Sequence, residues 1–208
     1  IIIISSLTII TFTIILLSGE RTSLGLFCLS FIFIFLSSKK FRKLFIIPLA
    51  LIILVFGFTI STSEKIKNRI VTQTINQMGL NPGSERMVMF SKTYEGHFTI
   101  SYNMFKEKPI IGHGPKMFRY YCAKPENYLS NNACTTHPHN FYAQMLSELG
   151  IFGFFTLLSI FLYISFLLCR NTIQSFLNNK EKLTISSICL LSCYFINFFP
   201  FLPSGNLF

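Results

Sequence analysis

Five runs of apolar residues, at about 1–17, 23–38, 44–60, 150–169 and 183–202, limit what this chain can fold into more than any other feature. A helix needs roughly 20 apolar residues to cross a hydrocarbon core about 30 Å thick. Inside lipid each backbone N–H and C=O must find its partner within the protein, so runs of this kind fold as α-helices. Composition agrees: 51% of residues are apolar and 12% are charged, about half the roughly 25% charged share of a soluble domain. Mean hydropathy is +0.54. The expected fold is all-α, a polytopic transmembrane helical bundle with a large extracytoplasmic helical loop.

Charge sets the topology. Lys39, Lys40, Arg42 and Lys43 crowd around Phe41 between the second and third runs, and Arg170, Lys180 and Lys182 lie between the fourth and fifth. Short loops rich in Lys and Arg stay cytoplasmic, and the two assignments agree in helix parity. The Ser18–Thr22 turn and the stretch 61–149 then face the other side. Three regions follow: 1–60 with three transmembrane helices, 61–149 as a periplasmic loop with amphipathic helices, and 150–208 with two further transmembrane helices. The chain opens at Ile1 within an apolar run, with no basic leader or cleavage site of a signal peptide. It stops at Phe208 just after another run. It is therefore expected to be the C-terminal part of a longer protein.

The formal net charge is +10, from 18 Lys and Arg against 8 acidic residues, all of them Glu. A chain this basic can bind nucleic acid, but here the cations sit in short clusters between apolar spans and act as topology signals. Membrane lipids are expected as partners and nucleic acid is not. The long loop holds more cations than Glu, so its surface attracts anionic ligands such as a phosphate-bearing lipid.

Within the loop, Asn81-Pro82-Gly83-Ser84 reads as a turn ending in an N-cap. Ser84 would start a helix carrying Met87, Phe90, Tyr94, Phe98 and Phe105 at helical spacing, closed by Pro109. A Gly112-His113-Gly114-Pro115 turn and a polar loop from Cys122 to Thr136 follow. The segment from His139 to Leu149 reads as helical and continuous with the span at Gly150.

Several residues are candidates for chemistry. Arg21 stands at the extracytoplasmic mouth of two spans, where a cation next to hydrocarbon is either functional, paired with Glu20, or snorkelling. Arg86 falls in the first turn of the expected loop helix, where a cation opposes the helix dipole and calls for an anion; Glu85 or a Glu one turn on would serve. His137 and His139 lie two apart at the start of a helix and can act as orienter and base, since imidazole titrates near neutrality. Cys122 and Cys134 have two readings: a disulfide closing a small loop, or zinc ligation with His137 and His139. Their spacing fits no common zinc pattern and the compartment is oxidising, which favours the disulfide. Cys28, Cys169, Cys189 and Cys193 lie in spans and read as buried thiols. His97 reads as a packed or half-exposed histidine, and backbone N–H groups around His113 can hold an anion.

These pieces together resemble the O-antigen ligase and O-antigen polymerase family of membrane glycan transferases. His139-Asn140, nine residues and then Gly150-x-x-Gly153 match the family's His-Asn-x9-Gly-x-x-Gly pattern. Ser18-Gly19-Glu20-Arg21 is similar to its Ser-x-Arg at the start of a span. Lys108-Pro109-Ile110-Ile111-Gly112-His113-Gly114-Pro115 is similar to its Pro-hydrophobic-hydrophobic-Gly-x-Gly-Pro segment, with Lys108 where the family often has His. The resemblance runs over roughly residues 15–170.

The resemblance implies a glycosyltransferase of the bacterial inner membrane with its active site facing the periplasm. It implies transfer of a glycan from undecaprenyl diphosphate to a hydroxyl of lipid A-core, without metal, nucleotide or other cofactor. Arg21 and Arg86 would hold the donor diphosphate, His139 would take the proton of the attacking hydroxyl, and Asn140 and His137 would complete the substrate site. A polymerase or a protein O-oligosaccharyltransferase of the same fold is the alternative. A transporter or flippase fits less well, because such proteins place ionisable groups within their spans and these spans carry none. The family has more spans than the five here, so this part alone is expected to be inactive.

Overall fold

A computed structural model describes residues 2–84, 86–88, 90–127, 129, 133–177 and 183–208. Glu85, Lys180 and Lys182, which entered the charge assignments above, lie outside the described residues. Among the described residues every regular element is helical: α1 (Ile2–Ser18), α2 (Arg21–Ser37), α3 (Lys39–Thr62), α4 (Glu64–Lys67), α5 (Gln73–Gln77), α6 (Lys92–Glu107), α7 (Phe118–Cys122), α8 (Phe141–Leu177) and α9 (Ile185–Asn197). A π-helical turn at Asn68–Thr72 joins α4 to α5. Helices α3 and α8 are long and apolar enough to cross a membrane, and α1, α2 and α9 are shorter apolar helices. Their apolar side chains are turned outward, for example Ile47, Leu54 and Phe58 of α3 and Phe152 and Tyr163 of α8. A water-exposed surface of that kind would be an aggregation hazard, and hydrocarbon removes the penalty.

The chain divides into two compact units, one of Ile1–Thr74 with Tyr163–Asn197, the other of Ile75–Leu162 with Phe198–Phe208. In the first, Phe12, Leu16 and Ile52 form the core, with Leu24, Phe27, Phe31 and Val55 packed around them. One end of this unit is tied by polar groups. Asn171 Nδ2 donates to the Ser37 carbonyl at 3.0 Å, and Arg42 donates to the Leu36 carbonyl at 2.6 Å and to Ser175 Oγ at 3.3 Å. The Arg42 guanidinium also lies 4.1 Å over the Phe176 ring.

The structure differs from the sequence reading in three places. First, α6 starts at Lys92, capped by Ser91, whose Oγ accepts from Tyr94 N at 3.2 Å. Ser84 is exposed in a loop. Both serines carry cap chemistry, and the choice falls on Ser91 because Val88, 3% exposed, is pinned ahead of it by Val88 N–Met78 O at 3.0 Å. The buried face of α6 is Tyr94, His97, Ile100, Ser101 and Met104. Second, α9 ends at Asn197, so the fifth run does not continue as helix to 202; Tyr142 Oη instead donates to the Phe198 carbonyl at 2.7 Å. Third, the helix expected to run smoothly through Gly150 is broken there, with φ 69° and ψ −159°.

That break is closed by the Lys108–Gly114 segment. Ile151 N donates to Pro109 O at 2.9 Å, His113 N to Ser147 O at 3.1 Å, and Gly114 N to Glu148 O at 2.8 Å. His113 N and Gly114 N are thus committed to α8 carbonyls and Gly112 N to the Lys108 carbonyl at 3.1 Å, so the anion-binding reading of that turn is withdrawn. The approach leaves no room for side chains: a Cβ on Gly150 would stand 2.4 Å from Ile110 O, and one on Gly112 would stand 2.4 Å from the Glu148 backbone. Gly150→Ala is therefore expected to destabilise the protein by about 2 kcal/mol or more. Gly57→Ala, where a Cβ meets nothing within 4 Å, is expected to leave it unchanged or slightly firmer. Thermal unfolding of the two variants in nanodiscs checks this, and equal midpoints would refute the packing argument.

Candidate active site

His139 sits where loop becomes helix. Asn140 caps α8: its Oδ1 accepts from Ala143 N at 3.0 Å and its carbonyl from Gln144 N at 2.9 Å. To enter that cap the chain turns through a left-handed residue, and His139 takes it, at φ 53°. A non-glycine residue held there stores roughly 1–3 kcal/mol and persists only where its surroundings over-determine it. Ser204 N supplies one of those constraints, donating to the His139 carbonyl at 2.8 Å.

Three imidazoles meet at this point. The His139 ring lies 4.2 Å from His137 and 5.3 Å from His97, centroid to centroid. His97 is buried and its Nδ1 is 2.9 Å from the Ala133 carbonyl. Burial pushes all three below the ordinary imidazole value of 6.5. His139 itself adds to the effect at His137, and both His139 and His137 add to it at His97. His139 is thus a neutral imidazole at pH 7, able to accept a proton. His137 Nδ1 is 2.9 Å from Thr136 Oγ1, while its Nε2 is buried with no hydrogen-bond partner among the described residues, as are Arg119 Nε and Ser204 Oγ.

Asn140 is 1% exposed and its amide is engaged inside the protein. Nδ2 donates to the Pro200 carbonyl at 2.7 Å, the Leu202 carbonyl at 3.3 Å and Tyr94 Oη at 3.2 Å. It ties the end of the chain and α6 to the residue following His139. Tyr94 is pushed up to about 12 by burial, against a smaller lowering from Asn140, so its hydroxyl keeps its proton.

Arg86 precedes α6 and does not lie in a helical turn. Its guanidinium makes a two-pronged pair with Glu95, Nη1–Oε1 at 3.0 Å and a second, shorter Nη2–Oε2 contact. The anion that the sequence reading asked for is therefore a Glu nine residues on. Arg86 and Glu95 form part of the wall of two cavities. One, about 690 Å³, is bordered by Asn76, Gln77, Ser84 and Lys92; the other, about 570 Å³, by Phe98, Tyr142, Phe154, Leu158 and Phe201.

Arg21 belongs to the first unit, at the start of α2, where its Nη1 donates to Thr74 Oγ1 at 3.3 Å. Glu20 faces Arg69, at 3.9 Å. Cys122 and Cys134 are joined in a disulfide, Cα to Cα 5.3 Å, so neither is available as a zinc thiolate. The disulfide holds α7 against the Ala133–His137 loop. Cys28, Cys169, Cys189 and Cys193 are exposed on their apolar helices.

Two contributors escaped the sequence reading. Glu148 is fully buried, accepting from Phe118 N at 3.0 Å and from Gln144 Nε2 at 3.1 Å. Gln144 in turn holds Asn206 and Leu207 through bonds of 2.8 and 3.1 Å. An ionisable side chain two positions before an apolar run was the available signal for Glu148. His97 is packed, one of the two readings open to it, but nothing local showed that it meets His139, 42 residues on in sequence.

The fold and site define a helical membrane protein with a neutral, conformationally strained histidine in a cluster of three imidazoles. The chain belongs to the O-antigen ligase family, whose model matches residues 6–158. The match takes in Arg21, Arg86, His137, His139, Asn140 and both Gly150 and Gly153. No curated protein and no solved structure matches the chain.

The three depressed imidazoles have a consequence for stability. A group whose folded pKa lies below its unfolded value contributes stability that is fully present above the unfolded pKa and lost as pH falls. Unfolding midpoints in detergent are expected to be level above about pH 7 and to fall as pH drops below about 6.5. His139→Gln is expected to flatten that fall. A midpoint indifferent to pH across the window would show that the cluster is not held neutral.

Proposed function

We propose that this chain carries the transfer chemistry of an O-antigen ligase, moving a glycan from undecaprenyl diphosphate to a hydroxyl of lipid A-core on the periplasmic face of the bacterial inner membrane. The observation that carries the reading is His139: a neutral imidazole, held in a left-handed conformation at a helix cap, in the His-Asn element that resembles the family's. In the step proposed, the acceptor oxygen bonds to the anomeric carbon. The bond from that carbon to the diphosphate oxygen breaks, the diphosphate leaves with the electron pair, and the hydroxyl proton passes to His139.

Arg21 and Arg86 are each assigned, by their own motif or position, to the departing diphosphate. A guanidinium fork matches phosphate oxygens in a way that a Lys point charge does not. Asn140 acts as a positioning residue, fixing the turn that presents His139, and His137 packs against the same ring. The mechanism asks for no metal, since the leaving group is stabilised by guanidinium charge and the nucleophile is activated by imidazole.

The test uses the gene that carries this chain, expressed in a host lacking its own O-antigen ligase, with the extracted lipopolysaccharide run on a gel. Wild type is expected to restore the polysaccharide ladder, and His139→Ala to abolish it while the protein still accumulates. Arg86→Lys, which keeps the charge, is expected to cut transfer by at least about tenfold. No ladder with wild type, despite normal accumulation, would transfer the assignment to a polymerase or a protein-glycosylating enzyme. A full ladder with Arg86→Lys would remove the proposed role of the fork.

A further inference from the structure

The two cavities that share the Arg86–Glu95 wall are chemically opposite. The larger is bordered by Asn76, Gln77, Ser84 and Lys92, together with glycines that expose backbone. Amides and hydroxyls both donate and accept hydrogen bonds, which is the demand set by a sugar hydroxyl. The side chains of Gln77, Ser84 and Lys92 make no hydrogen bond among the described residues, so they remain available to a ligand. The smaller cavity is bordered by Phe98, Tyr142, Phe154, Leu158, Pro200 and Phe201, with polar groups confined to the Arg86 side and Asn140. Asn140 is already committed to Tyr94, Pro200 and Leu202. At about 690 and 570 Å³, both are the size of ordinary ligand sites, which run to roughly 300–1,000 Å³.

A molecule that satisfies both cavities at once must be amphiphilic, hydroxyl-rich at one end and hydrocarbon at the other. Its junction would fall at the guanidinium both cavities share. We infer that the polar cavity is the saccharide subsite and the aromatic cavity takes the first isoprenyl units of the donor, with the diphosphate between them at Arg86. This rests on the transferase reading and adds to it which residues read which part of the donor. Gln77, Ser84 and Lys92 then contact the saccharide, and Phe98, Phe154 and Leu158 contact the lipid.

The geometry separates the two ends, so binding should separate them too. The full protein in nanodiscs is titrated with undecaprenyl diphosphate and with the same lipid carrying a saccharide. Gln77→Trp fills the polar cavity from an exposed position. It is expected to weaken binding of the saccharide-bearing lipid about tenfold, and to leave undecaprenyl diphosphate within about twofold of wild type. Lys92→Gln, a milder change at another exposed position, is expected to act in the same direction. Leu158→Trp is expected to weaken both ligands alike. Equal effects of Gln77→Trp on both ligands, or none on either, would overturn the subsite assignment while leaving the transferase intact. A wild-type protein that binds neither lipid would instead sink the transferase reading.

Discussion

The backbone of the Pro109–Gly114 segment lies in the gap at Gly150, and the rest of the site depends on that contact. In an unbroken helix Ile151 N–H would bond to Ser147 O. Here Ile151 N turns to Pro109 O, and Ser147 O accepts from His113 N instead. A broken helix next to hydrocarbon is tolerable only when its freed backbone groups find partners in protein, and this segment supplies them with almost no surplus space. The two glycines are required for contact, not flexibility, because a Cβ at either would overlap the facing backbone. The break lets the Phe141–Leu149 part of α8 take its own direction, and the docked segment fixes it.

From that fixed helix the constraints pass to the histidine. Asn140 ends the helix with its own side chain and reaches Pro200 and Leu202 with the remaining amide protons. Glu148 anchors α7 through Phe118 N, and the disulfide joins α7 to the loop before His137. His139 is therefore held from its helix, its carbonyl and its ring neighbours at once. Such over-determination is what lets a residue remain in a left-handed conformation, and burial of the ring keeps it neutral.

The helices were legible in the sequence because hydrocarbon imposes one solution on a long apolar run. The His-Asn and Gly-x-x-Gly elements were legible because their spacing is local. What was not legible depends on distant partners. Ser84 and Ser91 have the same capping chemistry, and only the burial of Val88 decides between them. Gly150 reads as one residue of a continuous helix until the Pro109 loop is seen lying against it. The glycines around His113 suggest an anion nest, but Gly112 N is spent on the Lys108 carbonyl and His113 N and Gly114 N on α8. His97 joins the cluster through tertiary packing alone, and Arg86 finds its anion at Glu95, beyond the reach of any first-turn rule.

The Arg86–Glu95 pair shows how such a site can wait for a substrate without losing shape. A carboxylate and a phosphate present similar oxygen pairs to a guanidinium, so Glu95 holds the fork in a geometry that would also suit the diphosphate proposed for it. The pair lies at a wet surface, Arg86 62% and Glu95 27% exposed, where ion pairs contribute little because water screens them. Exchanging that carboxylate for the proposed diphosphate would then cost little, since Arg86 has already given up much of the rotamer freedom that binding would otherwise take from it. A buried partner would have made the exchange expensive, and no partner would have left a long side chain unplaced. A half-exposed glutamate one turn into α6 avoids both.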